Sequence, residues 1–221
     1  MAFRRESSAW SRVRIFMSRS GEATVSPTRV FPKLSDVLSG KVLPHVHCYR
    51  KDEIEALFRV ADEFGFRIGS LQHALEAYKL ADEIARRKIG VATFAHWWGY
   101  KWEARDGIPA NAAILADHGV RVAIHSDSAD LIQRLYVEAA IAMHHGLGRE
   151  EALKSITLNP AWMLGVDDRI GSLDVGKDAD IAIFSKDPFD ITTRVEMTMV
   201  DGKVVYDRTR VPAAPAVGGA R

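Results

Sequence analysis

Cysteine occurs once among the 221 residues of this chain, as Cys48. A single thiol excludes an internal disulfide and fits a reducing compartment, so a cytoplasmic location is expected. No apolar run is long enough to span a bilayer, which argues against a membrane protein. An excess of one charge sign is also lacking, because the formal net charge is +1. That balance argues against nucleic acid or an anionic membrane as the main partner and leaves a small molecule as the expected ligand. No G-x-G-x-x-G follows any expected strand, so dinucleotide binding has little support. What remains is 47% hydrophobic and 27% charged, an ordinary globular composition able to bury a sizeable core.

The two ends differ from the middle. Residues 1–29 are rich in Arg and Ser, with only Glu6 and Glu22 acidic. The composition is similar to that of a transit peptide, but the apolar core of a secretory signal is missing. A disordered or non-homologous segment, or a start inside a longer parent sequence, is the favoured reading. Residues 208–221, ending "VPAAPAVGGAR", read as a disordered tail.

From residue 41 strands and helices alternate. "KVLPHVHC" reads as a strand, and "KDEIEALFRVADEFG" as an amphipathic helix closing at Gly65. "FRIGSLQH" is a second strand, followed by the helix "EAYKLADEIARRKIG", stopped by Gly90. "VATFAHWWGY" is a third strand running into an aromatic loop, and "PANAAILADHG" a third helix opened by Pro109. "VRVAIHSDS" and "ADLIQRLYVEAAIAMHHG" form the fourth pair. Four successive strand–helix units with apolar strands predict a parallel sheet with right-handed crossovers, over residues 30–148.

After Gly148 the pattern changes. "REEALKSITLNPAWMLGV" reads as helical up to Asn159-Pro160, with a short resumption beyond. "DADIAIFS", "RVEMTMVDG" and "KVVYD" read as short strands, the last two joined by a hairpin turn at Val200-Asp201-Gly202-Lys203. Residues 149–207 thus form a helical and β appendage. A complete (β/α)8 barrel takes about 250 residues and eight units. Four units leave a half barrel or a small open doubly wound sheet.

Three strands end in residues able to bind metal: His47, His73 and Asp127. The carboxyl ends of parallel strands gather on one side of such a sheet. Two imidazoles and a carboxylate suit Zn²⁺ or another divalent ion, one ion being expected, with a position left for water. The ion would lower the pKa of that water to about 7, and Asp127, as the catalytic residue, would accept and return the proton. This is the chemistry of hydrolysis at a polarised carbonyl or amidine. Each residue also has a plainer reading. A single histidine at a strand end is commonly structural, and Ser-Asp-Ser before a helix is a good N-cap.

The remaining histidines divide unevenly. His118, His144 and His145 lie at helix ends, where a cation suits the dipole. His45 shares a strand face with His47 and reads as a packed neighbour. His125 lies two residues before Asp127 and reads as facing the same side. His96 opens "HWWGYKW" at the exit of the third strand. His96, Trp97, Tyr100, Lys101 and His125 are therefore candidate substrate-binding residues. The alternative is that Trp97, Trp98 and Trp102 simply cap the core.

Several segments together resemble the amidohydrolase superfamily, in its imidazolonepropionase-like branch. They are "HCYRKDEI", "QHALEAYKLADEIA", "TFAHWWGYKWEA", "IHSDS", "EEALKSITLNPAWMLGVDDRIGSLDVGKDADIAIFSKDP" and "VDGKVVY". The resemblance covers roughly residues 30–207, and its most specific part runs from Thr157 through Gly171-Ser-Leu to Gly176-Lys-Asp-Ala-Asp180. It implies an α/β fold: the C-terminal half of a (β/α)8 TIM-like barrel, with four βα units, plus part of a small β-sandwich. It implies that His47 and His73 are the fifth- and sixth-strand metal ligands, and that Asp127 is the eighth-strand aspartate. Relatives tend to carry Asp where His96 stands.

The family's first-strand His-x-His pair and fourth-strand Lys or Glu have no counterpart. The resemblance thus implies a metal-dependent hydrolase of C–N bonds. The alternative is a truncated, inactive fragment or subunit. A half barrel would expose two long edges, calling for a complementary N-terminal half or self-association.

Overall fold

The computed structural model describes residues 14–16, 30–97 and 99–210. Five strands form the first sheet, in the order β1-β2-β3-β4-β5: Arg14–Phe16, His45–His47, Ser70–Gln72, Gly90–Thr93 and Val122–Ile124. β2 to β5 run parallel, with His47 opposite Gln72 and Thr93 opposite Ile124. The α/β class and the parallel sheet match the reading of the sequence. Arg14–Phe16 falls inside the segment expected to be disordered or non-homologous, and it pairs antiparallel with β2. Of the two open edges expected, only that of β5 lacks a neighbouring strand among the described residues. The rest of residues 1–29, and 211–221 of the expected tail, lie outside the described residues.

Helices α1 (Val30–Leu38), α2 (Lys51–Phe64), α3 (Ala81–Arg87), α4 (Asn111–Asp117) and α5 (Leu135–His144) lie between and after these strands. Two more, α6 (Arg149–Ser155) and α7 (Leu158–Leu164), follow. α2 shows why the pattern was readable. Ile54, Leu57, Phe58 and Ala61, spaced at i, i+3, i+4 and i+7, form its buried face. Burying the three larger side chains is worth ~1.5–3 kcal/mol each. Asp52 and Glu53 sit in the first turn, where the helix dipole favours anions. Between β2–β5 and the helices lies the core, including Val46, Leu71, Val91, Val122, Ile84 and Leu115.

Three helix boundaries differ from those expected. The helix after β3 starts as a 3₁₀ turn, Ala77–Leu80, where the Tyr78 N–H donates to the Asn111 Oδ1 (3.0 Å). It ends at Lys88 in a left-handed conformation (φ 56°), not at Gly90. Gly90 instead opens β4, and its missing side chain is explained by packing: a Cβ there would lie 2.7 Å from Met163 Cγ on α7. The break before α7 falls at Ile156-Thr157. Pro160 is the third residue of α7, where its missing N–H breaks no helical bond.

A second sheet, β6-β7-β8, is antiparallel and comprises Ile181–Phe184, Val195–Val200 and Lys203–Asp207. The expected hairpin turn is present. Asp201 (φ 49°) and Gly202 (φ 72°) are both left-handed, as a type I′ turn requires. Tyr136 on α5 packs edge-on against Phe184, with ring centroids 5.2 Å apart. Among the described residues, no helix is long and apolar enough to cross a membrane.

The Gly90–Met163 contact yields a prediction. Gly90→Ala should lower stability by about 1–3 kcal/mol in urea denaturation. Most of that loss should vanish when the same change is made in a Met163→Ala background. An equal loss in both backgrounds would show that the close approach is not the cause.

Candidate metal and substrate site

The ladder of the parallel sheet continues just past the strand ends. The Cys48 N–H donates to Gln72 O (3.4 Å), Ala74 N–H to Ala92 O (3.1 Å), and His125 N–H to Thr93 O (2.9 Å). The residues leaving β2, β3 and β5 are therefore held at one edge. His73 has φ 43°, an uncommon value for a residue with a side chain, and so does Asp127. Two candidate ligands thus sit in strained backbone at strand exits, a pattern met at functional sites.

Two of the three candidate ligands meet. His47 Nδ1 lies 2.6 Å from His73 Nε2. His73 is buried, and its Nδ1 has no hydrogen-bond partner among the described residues. Burial, reinforced by the positive potential of His47, His125 and Lys101, pushes the His73 imidazole down to about 3. His73 is therefore neutral at physiological pH, the form a metal ion needs. Burial also lowers His125 and His45.

Asp127 does not join the pair. Among the described residues, no three His, Cys, Asp or Glu side chains form a metal-binding group. Asp127 is nonetheless close enough for its charge to raise His125, Tyr49 and Tyr100. Ser128, not Asp127, caps the following turn, its Oγ accepting from the N–H groups of Asp130 and Leu131 (both 3.3 Å). The capping reading thus belongs to Ser128. Two imidazoles suit a borderline ion such as Zn²⁺. Two nitrogens on one tetrahedral zinc stand ~3.3 Å apart, so this pair fits after opening by less than an ångström.

The candidate substrate residues build an aromatic mouth around the imidazoles. The Tyr49 ring stacks on His73 with centroids 4.1 Å apart. Lys101 Nζ lies 3.8 Å from the Tyr49 ring centroid, a cation–π contact, and Tyr100 OH donates to Tyr49 OH at 3.2 Å. Phe94 contacts His73, His125, Trp97 and Tyr100, at 6.2, 5.4, 5.4 and 6.1 Å between centroids. Trp97, Tyr100, Lys101 and His125 are thus brought together. Trp102 is exposed and stacks under Arg105 instead of capping the core, while Trp98 lies outside the described residues. His96 bonds Glu138. His45 Nδ1 faces the buried Ser70 Oγ at 2.6 Å, as a packed neighbour would.

Sequence reasoning missed Tyr49, Phe94 and Glu53 and took Glu76, near the mouth, as a solvated or locally paired residue. Tyr49 and Phe94 flank the candidate ligands, and only their position next to strand-end residues signalled them. Glu53 accepts the N–H groups of Tyr49 (3.1 Å) and Arg50 (3.3 Å), a capping-box residue at the third position of α2. Glu76 accepts the Lys51 N–H (3.0 Å), while its own N–H donates to Tyr49 O (3.0 Å). Glu76 thus sews the loop after β2 to the loop after β3, while Glu53 braces the turn from β2 into α2.

The sign of the His73 shift fixes a pH dependence. Below the ordinary imidazole value of 6.5 the unfolded chain takes up a proton that the folded site refuses until about 3. Stability of metal-free protein should therefore fall as pH drops from neutral towards 4. His73→Gln, which has no ring to protonate, should lose less over the same range in urea titrations. Identical slopes would place the His73 ring in water.

The sequence profile described as the amidohydrolase family matches residues 23–206. An amidohydrolase, tasK, from Hapsidospora irregularis is 34% identical over 227 residues, covering 97% of this chain and 23% of the relative. An imidazolonepropionase from Thermoplasma acidophilum is 30% identical over 109 residues, covering 44% of this chain and 26% of the relative. The crystal structure of an amidohydrolase from Thermotoga maritima MSB8 is 36% identical, with a TM-score of 0.77, covering 85% of this chain and 49% of that one. The chain spans about a quarter of the length of these curated relatives and about half of the solved structure.

Proposed function

The chain belongs to the amidohydrolase family, and from that premise we propose that it supplies the C-terminal half of a (β/α)8 barrel and part of a β-sandwich, and hydrolyses C–N bonds of small amides with one divalent ion, Zn²⁺ or similar. The observation that carries the reading is the approach of His47 Nδ1 to His73 Nε2, at 2.6 Å, on adjacent parallel strands. His47 and His73 would hold the ion, and Asp127, which stands apart from the pair in this structure, would be the third ligand. When bound, the ion polarises a carbonyl and lowers the pKa of water.

The chain's own residues do the rest. The Asp127 carboxylate takes a proton from the attacking water and returns it to the leaving nitrogen as the C–N bond breaks. Trp97, Tyr100 and Lys101 form the walls against which a small amide is oriented, with His96 and His125 beside them. Phe94 and Tyr49 exclude water from one side of the imidazole pair, which strengthens the electrostatics there.

A second reading has its own support. Only two of the three ligands meet, and β5 ends the sheet without a partner strand among the described residues. A complementary N-terminal half, or a second copy, would then pair with β5 and complete the site.

Elemental analysis tests the centre directly. The purified chain should carry close to one Zn²⁺, and His73→Ala should carry none. An equal content in both proteins rejects the site. Across a panel of N-acyl and cyclic amides, Asp127→Asn should reduce turnover roughly 10²–10⁴-fold while keeping the ion. If the second reading holds, sedimentation should show self-association, or turnover should rise sharply when an N-terminal half is added. A monomer that turns over unaided excludes it.

A further inference from the structure

A cavity of about 350 Å³ opens at the rim of the parallel sheet. Its walls come from three places: the start of α2 after β2, the 3₁₀ turn after β3, and residues 102–106 after β4. Apart from Trp102 the lining is entirely charged. Four side chains are cations, Arg50, Lys51, Lys79 and Arg105, and four are carboxylates. Neither the imidazoles nor the aromatic rings packed around them line this cavity.

The charges are joined across the loops. Lys79 Nζ donates to Glu76 (3.1 Å) and to Asp106 (2.9 Å), and Glu76 also accepts the Lys51 N–H. Lys79, with smaller contributions from Arg105 and Arg50, holds the Asp106 carboxyl below the usual carboxylate range. Charges after β2 and after β4 therefore share one field. The two arginines are less fully engaged than Lys79. Arg50 donates to Asp52 through Nε (2.8 Å). Arg105 reaches Asp106 through Nε at 3.6 Å, and its guanidinium lies over the Trp102 ring, 4.4 Å from the centroid. A guanidinium carries five N–H donors. Among the described residues, the terminal nitrogens of both arginines donate to no acceptor. Asp52 and Glu55 each meet one cation, Arg50 and Lys51 (3.3 Å) respectively.

Four cations against four carboxylates leave the lining without net charge. A ligand of one sign is attracted by half of such a wall and repelled by the other half. A molecule carrying both signs meets each half at once. Guanidinium donors match a carboxylate in a planar, bidentate way, and carboxylates accept from an ammonium. The volume suits a small molecule. We propose that this rim cavity binds a small zwitterion of the amino-acid type, with its carboxylate on Arg50 and Arg105 and its ammonium on Asp52 and Glu55. The site is separate from the His47–His73 pair and requires neither a metal ion nor amide hydrolysis.

Three probes test the charge requirement, because γ-aminobutyrate, butyrate and butylamine share one skeleton and differ only in their charged ends. The Trp102 indole N–H, assigned by its loss in Trp102→Phe, reports binding in ¹⁵N-labelled full chain near neutral pH. γ-Aminobutyrate should shift that signal to saturation, and each singly charged probe should bind about tenfold more weakly. Arg50→Gln and Arg105→Gln should each weaken binding by a similar factor, and Arg50→Lys should restore only part, since it keeps the charge without the fork. His73→Gln should bind as the wild type does. No saturable shift, equal binding of the three probes, or full affinity in both glutamine variants overturns the proposal. Loss of binding in His73→Gln moves the ligand to the mouth and overturns it as well. The other tryptophan indole signals show whether each variant is folded, and should one not fold, the three probes on the wild-type chain still decide. The hydrolase reading fails separately: a chain without zinc or amide turnover that still binds γ-aminobutyrate retains this inference and removes that one.

Discussion

The continuation of the parallel hydrogen-bond ladder beyond its strands is the constraint on which the site depends. Cys48, Ala74 and His125 each donate a backbone N–H to the neighbouring strand just after β2, β3 and β5 have ended. A one-residue slip in any of these pairings would turn the side chains at the exit to the other face. The left-handed backbone of His73 and Asp127 is tolerable only because such bonds hold the residues around it. Order at the strand ends is thus a property of the sheet, and the imidazoles inherit it.

Buried polar side chains extend that order from the sheet to the helices. Asn111, fully buried, donates to Ala74 O (3.1 Å) and Thr93 Oγ1 (2.8 Å) and accepts the Tyr78 N–H. One side chain so joins α4, β4 and the turn after β3. Asn159 does similar work lower down, donating to Val122 O at 2.9 Å and fixing α7 beneath β5. Removing either amide would strand backbone partners away from water, a cost of about 1–3 kcal/mol for each group left unsatisfied. Met163 on the same helix then fits over Gly90, so the glycine that opens β4 is the counterpart of a methionine far along the chain on α7.

The electrostatic character of the mouth follows from what surrounds the imidazoles. Tyr49 stacks on His73 and Phe94 packs beside it, and burial keeps the His73 ring neutral. The same burial pushes the Tyr49 and Tyr100 phenols up, so both remain protonated donors near neutral pH. Lys101 supplies the nearby positive charge, seated on the Tyr49 ring. The neutral His73 imidazole, the protonated phenols of Tyr49 and Tyr100 and the Lys101 ammonium thus meet at the mouth.

Much of this was legible in the residues alone. The period of α2, the alternation of strands and helices, and the Asp201-Gly202 turn are local features, determined by side-chain spacing and backbone preference. The ladder put His47 and His73 on neighbouring strand ends, so their candidacy could be read from sequence. Other features had no local signal. The contact of Asn111 with the 3₁₀ turn after β3 and that of Met163 with Gly90 at the start of β4 come from elsewhere in the chain. The partnership of His96 with Glu138, 42 residues apart, exists only because α5 packs beside the exit of β4. The sequence by itself determined which elements form and that His47 and His73 leave successive strands, since both follow from short-range periodicity. Tertiary structure alone decided which nitrogens face each other, which ring is neutral and which carboxylate stays out of the pair, because distance and burial arise only once separate segments are packed together.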